Sequence, residues 1–257
     1  MNDFETRFGA IARLYGGAGL EKLRAAHVGV IGIGGVGVWA VEALARSGVG
    51  ALTLVDLDEI CTTNINRQLH ALTETVGRAK VETMAERVRS INPECRVVCR
   101  QVFFNRETAP EILAPHFDFI FDAIDSVTDK VTLLDGCRAK KLPVLSAGAA
   151  GGRRDATLVK VADLARVSHD RLLAEVRKKL RRECSFPADG SLMGIDCVYS
   201  AEAPVFAQPD GSVGPTRAEP EPGTRLNCNG GLGSATFVTG AFGFAAAGCI
   251  VQKIVDR

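Results

Sequence analysis

Four side chains with chemical potential accompany a glycine-rich turn in this chain: Asp56, Arg67, Lys80 and Asp125. The turn itself reads Gly32-Ile33-Gly34-Gly35-Val36-Gly37, a G-x-G-x-x-G with one extra glycine. Val28, Val30 and Ile31 precede it as a buried-strand signal, and an alanine-rich apolar helix pattern follows to about Arg46. A strand, a glycine turn and a helix in that order make a nucleotide site. Gly32, Gly34, Gly35 and Gly37 permit the tight turn, let a phosphate or ribose approach bare backbone, and let helix and strand pack closely. The helix start adds unpaired N–H groups that favour an anion. Asp56 ends the next apolar run, 19 residues after Gly37, where such folds place the acid that accepts ribose hydroxyls. A hydride-transfer enzyme has no use for an arginine, a lysine and a spare carboxylate at the phosphate end. An enzyme that splits ATP between its α and β phosphates does, because charge develops on the α-phosphorus and on the departing pyrophosphate. The chain has no G-x-x-x-x-G-K-[ST], which excludes a P-loop nucleotidase.

The elements that must position these groups alternate between strand and helix patterns. Residues 1–26 read as a helix carrying Arg7 and Arg13, and Ala51–Val55 as a second strand. Asp58 to Leu69 is rich in hydrogen-bonding side chains, with Asn and Thr suited to capping a short helix. Val81, Met84, Ala85, Val88 and Ile91 give the buried face of an amphipathic helix over residues 78–91. Lys80 stands in its first turn, against the macrodipole, a placement that an anion nearby would explain. Val97–Val102 reads as a third strand, and Phe117–Ala123 as a fourth that leads into Asp122 and Asp125 where open α/β sheets put their ligands. A helix over 128–140, a strand Pro143–Ala147, the flexible run Ala147–Gly152 and a strand Thr157–Val161 follow. The sequence thus predicts an α/β fold: a Rossmann-like, doubly wound mixed sheet with a C-terminal extension. It forms one domain over 1–257, with an irregular substrate-side segment at 184–230 and a mobile surface loop at Pro209–Thr224.

Composition bounds the partners. Lys and Arg number 31 against 30 Asp and Glu, so any nucleic-acid contact must come from a local patch. The candidate is residues 166–182, with seven Lys or Arg against Asp170 and Glu175, read either as a solvated helix face or as a phosphodiester contact. MNDFETRF lacks the layout of a signal peptide, and eight cysteines without a C-x-x-C fit reduced thiols in a cytoplasmic protein. Cys95 and Cys99 read as small core residues on one strand face, and Cys197 and Cys228 as packed cysteines rather than nucleophiles. The four histidines, His27, His70, His116 and His169, read as structural or surface residues, and Trp39 as core. Residues 231–254 carry no charge until Lys253. Their small residues suit a helix packed in a domain or dimer interface better than a membrane span.

Gly32–Gly37, Asp56, Asn64-Ile65-Asn66-Arg67-Gln68, Val76-Gly77-Arg78-Ala79-Lys80 and Asp122-Ala123-Ile124-Asp125 together resemble the ubiquitin-activating-enzyme-like adenylating superfamily, which includes the molybdopterin and thiamine sulfur-carrier activators. Within it the chain most resembles the tRNA threonylcarbamoyladenosine dehydratases. That likeness is carried by Arg7-Phe8-Gly9, Ala12–Gly16, Asp122–Val127, Ala147–Gly152, Gly194–Glu202 and the Gly-rich C-terminal stretch. The resemblance implies that Asp56 binds the ribose, that Asn64, Arg67, Gln68 and Lys80 hold the phosphates, and that Asp125 holds Mg²⁺. It makes Arg67, Lys80 and Asp125 the catalytic set. In relatives an N-terminal arginine reaches into the partner protomer's ATP site; Arg13 is the candidate here, with Ala10 near the aligned position. ATP and Mg²⁺ are the implied cofactors, with a monovalent cation as a further candidate. The implied partners are tRNA bearing threonylcarbamoyladenosine, a second copy of the chain, and a cysteine-desulfurase sulfur-acceptor system.

The chemistry this implies is an acyl-adenylate formed on the substrate's threonine carboxylate, followed by intramolecular ring closure that needs no enzyme nucleophile. Three other readings compete. A sulfur-carrier activator would share the first half-reaction, although such enzymes often carry the zinc-binding C-x-x-C pairs absent here. A nicotinamide-dependent dehydrogenase is opposed by Arg67, Lys80 and Asp125. A nucleotide sensor without turnover leaves the complete phosphate and metal set unexplained.

Overall fold

The computed structural model describes residues 3–216 and 232–257. Helix α1 (Asp3–Ala25) bends at Gly16, whose φ of 77° is outside the helical range, and leads into β1 (His27–Ile31). Then come α2 (Gly37–Arg46), β2 (Ala51–Val55), α3 (Lys80–Ile91), β3 (Arg96–Arg100), the single turn α4 (Ala109–Ile112) and β4 (Phe119–Asp122). The second half runs α5 (Val127–Ala139), β5 (Val144–Ala147), β6 (Val159–Asp163), α6 (Arg171–Glu183) and β7 (Asp196–Ser200). A short hairpin, β8 (Phe206–Ala207) and β9 (Val213–Gly214), precedes α7 (Thr236–Val255).

Seven strands form one sheet in the order β3-β2-β1-β4-β5-β7-β6, parallel except for the edge strand β6, which runs antiparallel to β7. β1, β2 and β4 are buried along their whole length, as strands covered on both faces must be. One face is covered by α2, α3 and α7 around Val41, Leu44, Met84, Val88, Phe242 and Ile250. The other carries α4, α5 and α6, packed through Ile112, Leu133, Leu134, Leu173 and Val176. The chain order reverses between β1 and β4, so a crevice opens outside their carboxyl ends.

Two segments differ from the sequence expectation, and a third, the C-terminal stretch, follows it. Asp196–Ser200, inside the stretch read as irregular, is a largely buried strand between β5 and β6. Its Asp-Cys-Val-Tyr-Ser composition has no alternation, because it too is covered on both faces, and only its neighbours make it a strand. Within Pro209–Thr224, the part up to Thr216 includes β9, paired with β8; the remainder, like Cys228, lies outside the described residues. The C-terminal apolar stretch is a core helix. Among the described residues it is the one helix long and apolar enough to cross a membrane, yet 56% of its most apolar window is buried inside the domain.

α7 lies against α2 without a spacer. A β-carbon at Gly243 would stand 2.5 Å from Cβ of Trp39 and 2.7 Å from the Val36 carbonyl, and the Trp39 ring packs edge-on to Phe244. Gly243→Val is therefore expected to cost about 1–3 kcal/mol by forcing these helices apart. Denaturant unfolding measures this, and a wild-type midpoint would contradict the close approach.

Candidate nucleotide site

The glycine turn leaves β1 at its carboxyl end and is fixed by backbone proximity. Gly32 has φ 95°, and a β-carbon there would meet the Ala123 carbonyl at 2.8 Å; one at Gly37 would fall 1.8 Å from the Gly32 carbonyl oxygen. Only bare backbone fits at both positions. The turn therefore packs on the residues just past β4, the strand that delivers Asp125.

Asp56 lies one residue beyond β2. Its Oδ2 accepts the Ile33 N–H at 2.7 Å and its Oδ1 accepts the Asp58 N–H at 2.9 Å. Burial pushes its carboxyl above the ordinary value, against the opposing pull of the Lys80 charge and of those two N–H donors. Lys80 opens α3 and is buried, with Nζ 2.7 Å from Asp58 Oδ2. That partner already balances the lysine's unfavourable position at a helix start, so an anion is not needed to explain it; a phosphate would compete with Asp58 for the same ammonium.

Asn64 ends a 3₁₀ turn (Thr62–Asn64) and is buried, its Oδ1 accepting the Cys61 N–H at 3.0 Å. It thus caps the turn, as Asn and Thr there predicted. Gln68 is buried with Oε1 unpaired among the described residues. Arg67 is half-buried, its stem 3.7 Å from where a Gly35 β-carbon would stand, and its Nη1 rests on the Thr63 carbonyl at 2.7 Å and Asn66 Oδ1 at 3.0 Å. Asp125 is exposed, three residues past β4, and pairs with no described residue. A lone carboxylate beside a phosphate site suits Mg²⁺, which binds through one or two carboxylates plus phosphate oxygens and water.

Other expectations fare differently. Asp122 does not face the crevice. It is fully buried, with Oδ2 2.9 Å from Lys130 Nζ and 2.6 Å from Ser146 Oγ, while Oδ1 accepts the Ile124 N–H. It shapes the loop that carries Asp125 from below. Arg13 is exposed on α1 in a groove shared with Arg7, and hydrogen-bonds to none of the site residues. The basic stretch is partly committed to the fold: Arg177 Nη1 donates to the Leu164 and Val167 carbonyls at 2.9 Å, and Arg181 donates to Pro187. Arg166, Arg171, Lys178 and Arg182 remain exposed. Cys197 is buried, and desolvation pushes its thiol well above the ordinary value, which fits packing rather than nucleophilic chemistry. Cys95 and Cys99 border the main core, and no metal-binding cluster of His, Cys, Asp and Glu occurs among the described residues.

His70, the histidine that stands near Arg67 in the chain, has a role in holding the glycine turn. It is buried, and its Nε2 donates to the Ile33 carbonyl at 3.0 Å. Trp39 and Arg153 also went unread as site groups. The Trp39 indole donates to the Arg67 carbonyl at 3.1 Å. Arg153, beyond β5, is 3% exposed, donates to the His169 carbonyl, and leaves Nε and Nη1 unpaired among the described residues. None of these has a sequence signal, because each depends on groups far away in the chain.

Comparison with known proteins bears on the chain as a whole. The ThiF family model matches residues 9–256. The chain belongs to the ThiF family. A relative named tRNA threonylcarbamoyladenosine dehydratase, from Escherichia coli strain K12, is 45% identical over 98% of this chain and 94% of its own length. A solved structure described as TcdA (CsdL) superposes with a TM-score of 0.90 at 43% identity, covering 100% of this chain and 96% of that one. The E. coli tRNA N6-threonylcarbamoyladenosine dehydratase solved in complex with ATP gives 0.87 at 41% identity over 100% and 96%.

Burial holds the His70 imidazole far below its ordinary value, at about 4. The unfolded chain takes up this proton near 6.5 and the folded one only near 4, so stability is lost as pH falls through that window. His70→Gln is expected to flatten the dependence between pH 6.5 and 4 in chemical unfolding. An unchanged slope would remove His70 as its source.

Proposed function

We propose that this protein is a cytoplasmic, homodimeric, AMP-forming dehydratase that cyclises N6-threonylcarbamoyladenosine in tRNA at the expense of ATP. The observation that carries the reading is the grouping of Asp56, Arg67, Lys80 and an unpaired Asp125 around one glycine turn. It occurs in a chain 45% identical, over nearly its full length, to an enzyme of that name.

In this reading the whole chain is one adenylating domain. Asp56 holds the ribose; Asn64, Arg67, Gln68 and Lys80 hold the phosphates, and Gly32, Gly34, Gly35 and Gly37 admit them to the helix start. Asp125 would hold Mg²⁺, which when bound neutralises charge on the phosphate oxygens. The substrate's threonine carboxylate attacks the α-phosphorus as the bond to the pyrophosphate oxygen breaks, with Arg67 and Lys80 stabilising the departing charge. The neighbouring carbamoyl group then attacks the acyl carbon, and AMP leaves with one carboxylate oxygen. The nucleoside loses one water, and the enzyme supplies proximity rather than a nucleophile.

Homodimer formation is supported by Phe237 and Phe244, exposed large apolar side chains at helical spacing on α7. Arg13 would complete the partner's site. The exposed Arg166, Arg171, Lys178 and Arg182 are the candidate tRNA contacts.

The first test is release of AMP and pyrophosphate with tRNA that carries or lacks the modification, with the nucleoside followed by mass. Modification-dependent release with loss of one water is expected. Turnover that ignores tRNA but responds to a carrier protein ending in Gly-Gly would replace this reading with a carrier activator. Asp125→Ala is expected to abolish Mg²⁺-dependent AMP formation, by about a hundredfold or more, while only weakening ATP binding. Unchanged turnover would overturn the metal assignment.

A further inference from the structure

The backbone that presents Arg67 is tied to the start of α7, some 170 residues further along the chain. Thr236, the first residue of that helix, donates its Oγ1–H to the Asn66 carbonyl at 2.6 Å. Asn66 returns the contact, its Nδ2 donating to the Ser234 carbonyl at 2.8 Å. Thr239 Oγ1 lies 3.2 Å from the Arg67 carbonyl, sharing its one proton with carbonyls of its own helix, and the Trp39 indole reaches the same oxygen. The Thr239 methyl and the Arg67 stem both border Gly35, at 3.4 and 3.7 Å from where its β-carbon would stand. The same segment is anchored at its other side to the loop beyond β5, where the Gly152 N–H donates to the Gly233 carbonyl at 2.7 Å.

We infer that the start of α7 is a positioning device for Arg67, with Thr236 its principal residue, holding the side-chain stem beside Gly35 and linking its backbone to the loop beyond β5. This rests on the reading of Arg67 as a phosphate ligand. Three features favour it over a merely structural contact. Thr236 is exposed, so its hydroxyl has water as an alternative and is not needed to satisfy a buried group. The Asn66 and Arg67 carbonyls receive the hydroxyls of Thr236 and Thr239, side-chain donors beyond the free backbone N–H groups that any helix start offers. The tie also fixes a segment whose side chain must hold its place against the mobility of a long cation. A misplacement of about 1 Å at such a group is costly in rate.

The test compares Thr236→Val, Thr236→Ser and Arg67→Ala, together with the double variant Thr236→Val/Arg67→Ala. ATP and AMP binding are measured by calorimetry, alongside AMP formation and thermal midpoint. Thr236→Val is expected to weaken ATP binding and lower kcat/KM about tenfold, the scale of one lost hydrogen bond. AMP affinity should stay within about twofold, because AMP has no β or γ phosphate for Arg67 to meet. Thr236→Ser should restore wild-type behaviour, and Thr236→Val should have no further effect when Arg67 is already alanine. Wild-type ATP binding in Thr236→Val would overturn the inference, as would an equal loss in the Arg67→Ala background. If Arg67→Ala itself bound ATP normally, the phosphate role would fail first, and the positioning role with it.

Discussion

The peptide unit at Ile33 is gripped on both sides, and the nucleotide site depends on that grip. Its N–H is taken by Asp56 at the end of β2, and its carbonyl by His70 from the loop that follows. Glycine turns are conformationally permissive, so a turn built to receive phosphates needs outside restraint to keep its N–H groups aligned. Here the restraint comes from two groups with shifted titration: a carboxyl raised by burial and an imidazole kept neutral by it. The neutral imidazole matters electrostatically. A charged ring there would add a second buried cation near Lys80, whose charge already opposes protonation of His70.

Around that grip the charged groups divide into those the fold consumes and those it leaves free. Lys130 is spent on Asp122 and Ser146, and Arg177 on two carbonyls. Asp125 is left unpaired and exposed, and Lys80 is paired with a carboxylate that is itself half-exposed. A buried ion pair is poor evidence for stability but costly to break. The Asp122–Lys130 pair is therefore best understood as the floor of the Asp125 loop, whereas the Lys80–Asp58 pair opens to solvent on its carboxylate side.

The C-terminal helix joins the two halves of the molecule. It packs on α2 behind the glycine turn, borders β5, β6 and β7, and hydrogen-bonds to the Arg67 segment with its first turn. Its lack of charge reads as membrane-like in isolation. The small residues that make the sequence ambiguous are the ones that let it approach Trp39 and Val36 so closely.

By itself the sequence determined the Rossmann-like sheet, the glycine turn and the place of Asp56 at the end of β2, because each is a local signal: an apolar run, a glycine spacing, an acid at a strand end. Asp122 and Asp125 show where that legibility stops. Their two carboxylates read alike in sequence, yet one is fully buried against Lys130 and Ser146 and the other is exposed, since strand pairing and the position of Lys130 decide which of them is enclosed. β7 went unread because a strand buried on both faces needs no alternation. The roles of His70, Thr236 and Trp39 were set only by tertiary structure. Each acts through a hydrogen bond to a main-chain carbonyl, and a carbonyl is common to every residue, so nothing in a side-chain pattern can announce which one will be met.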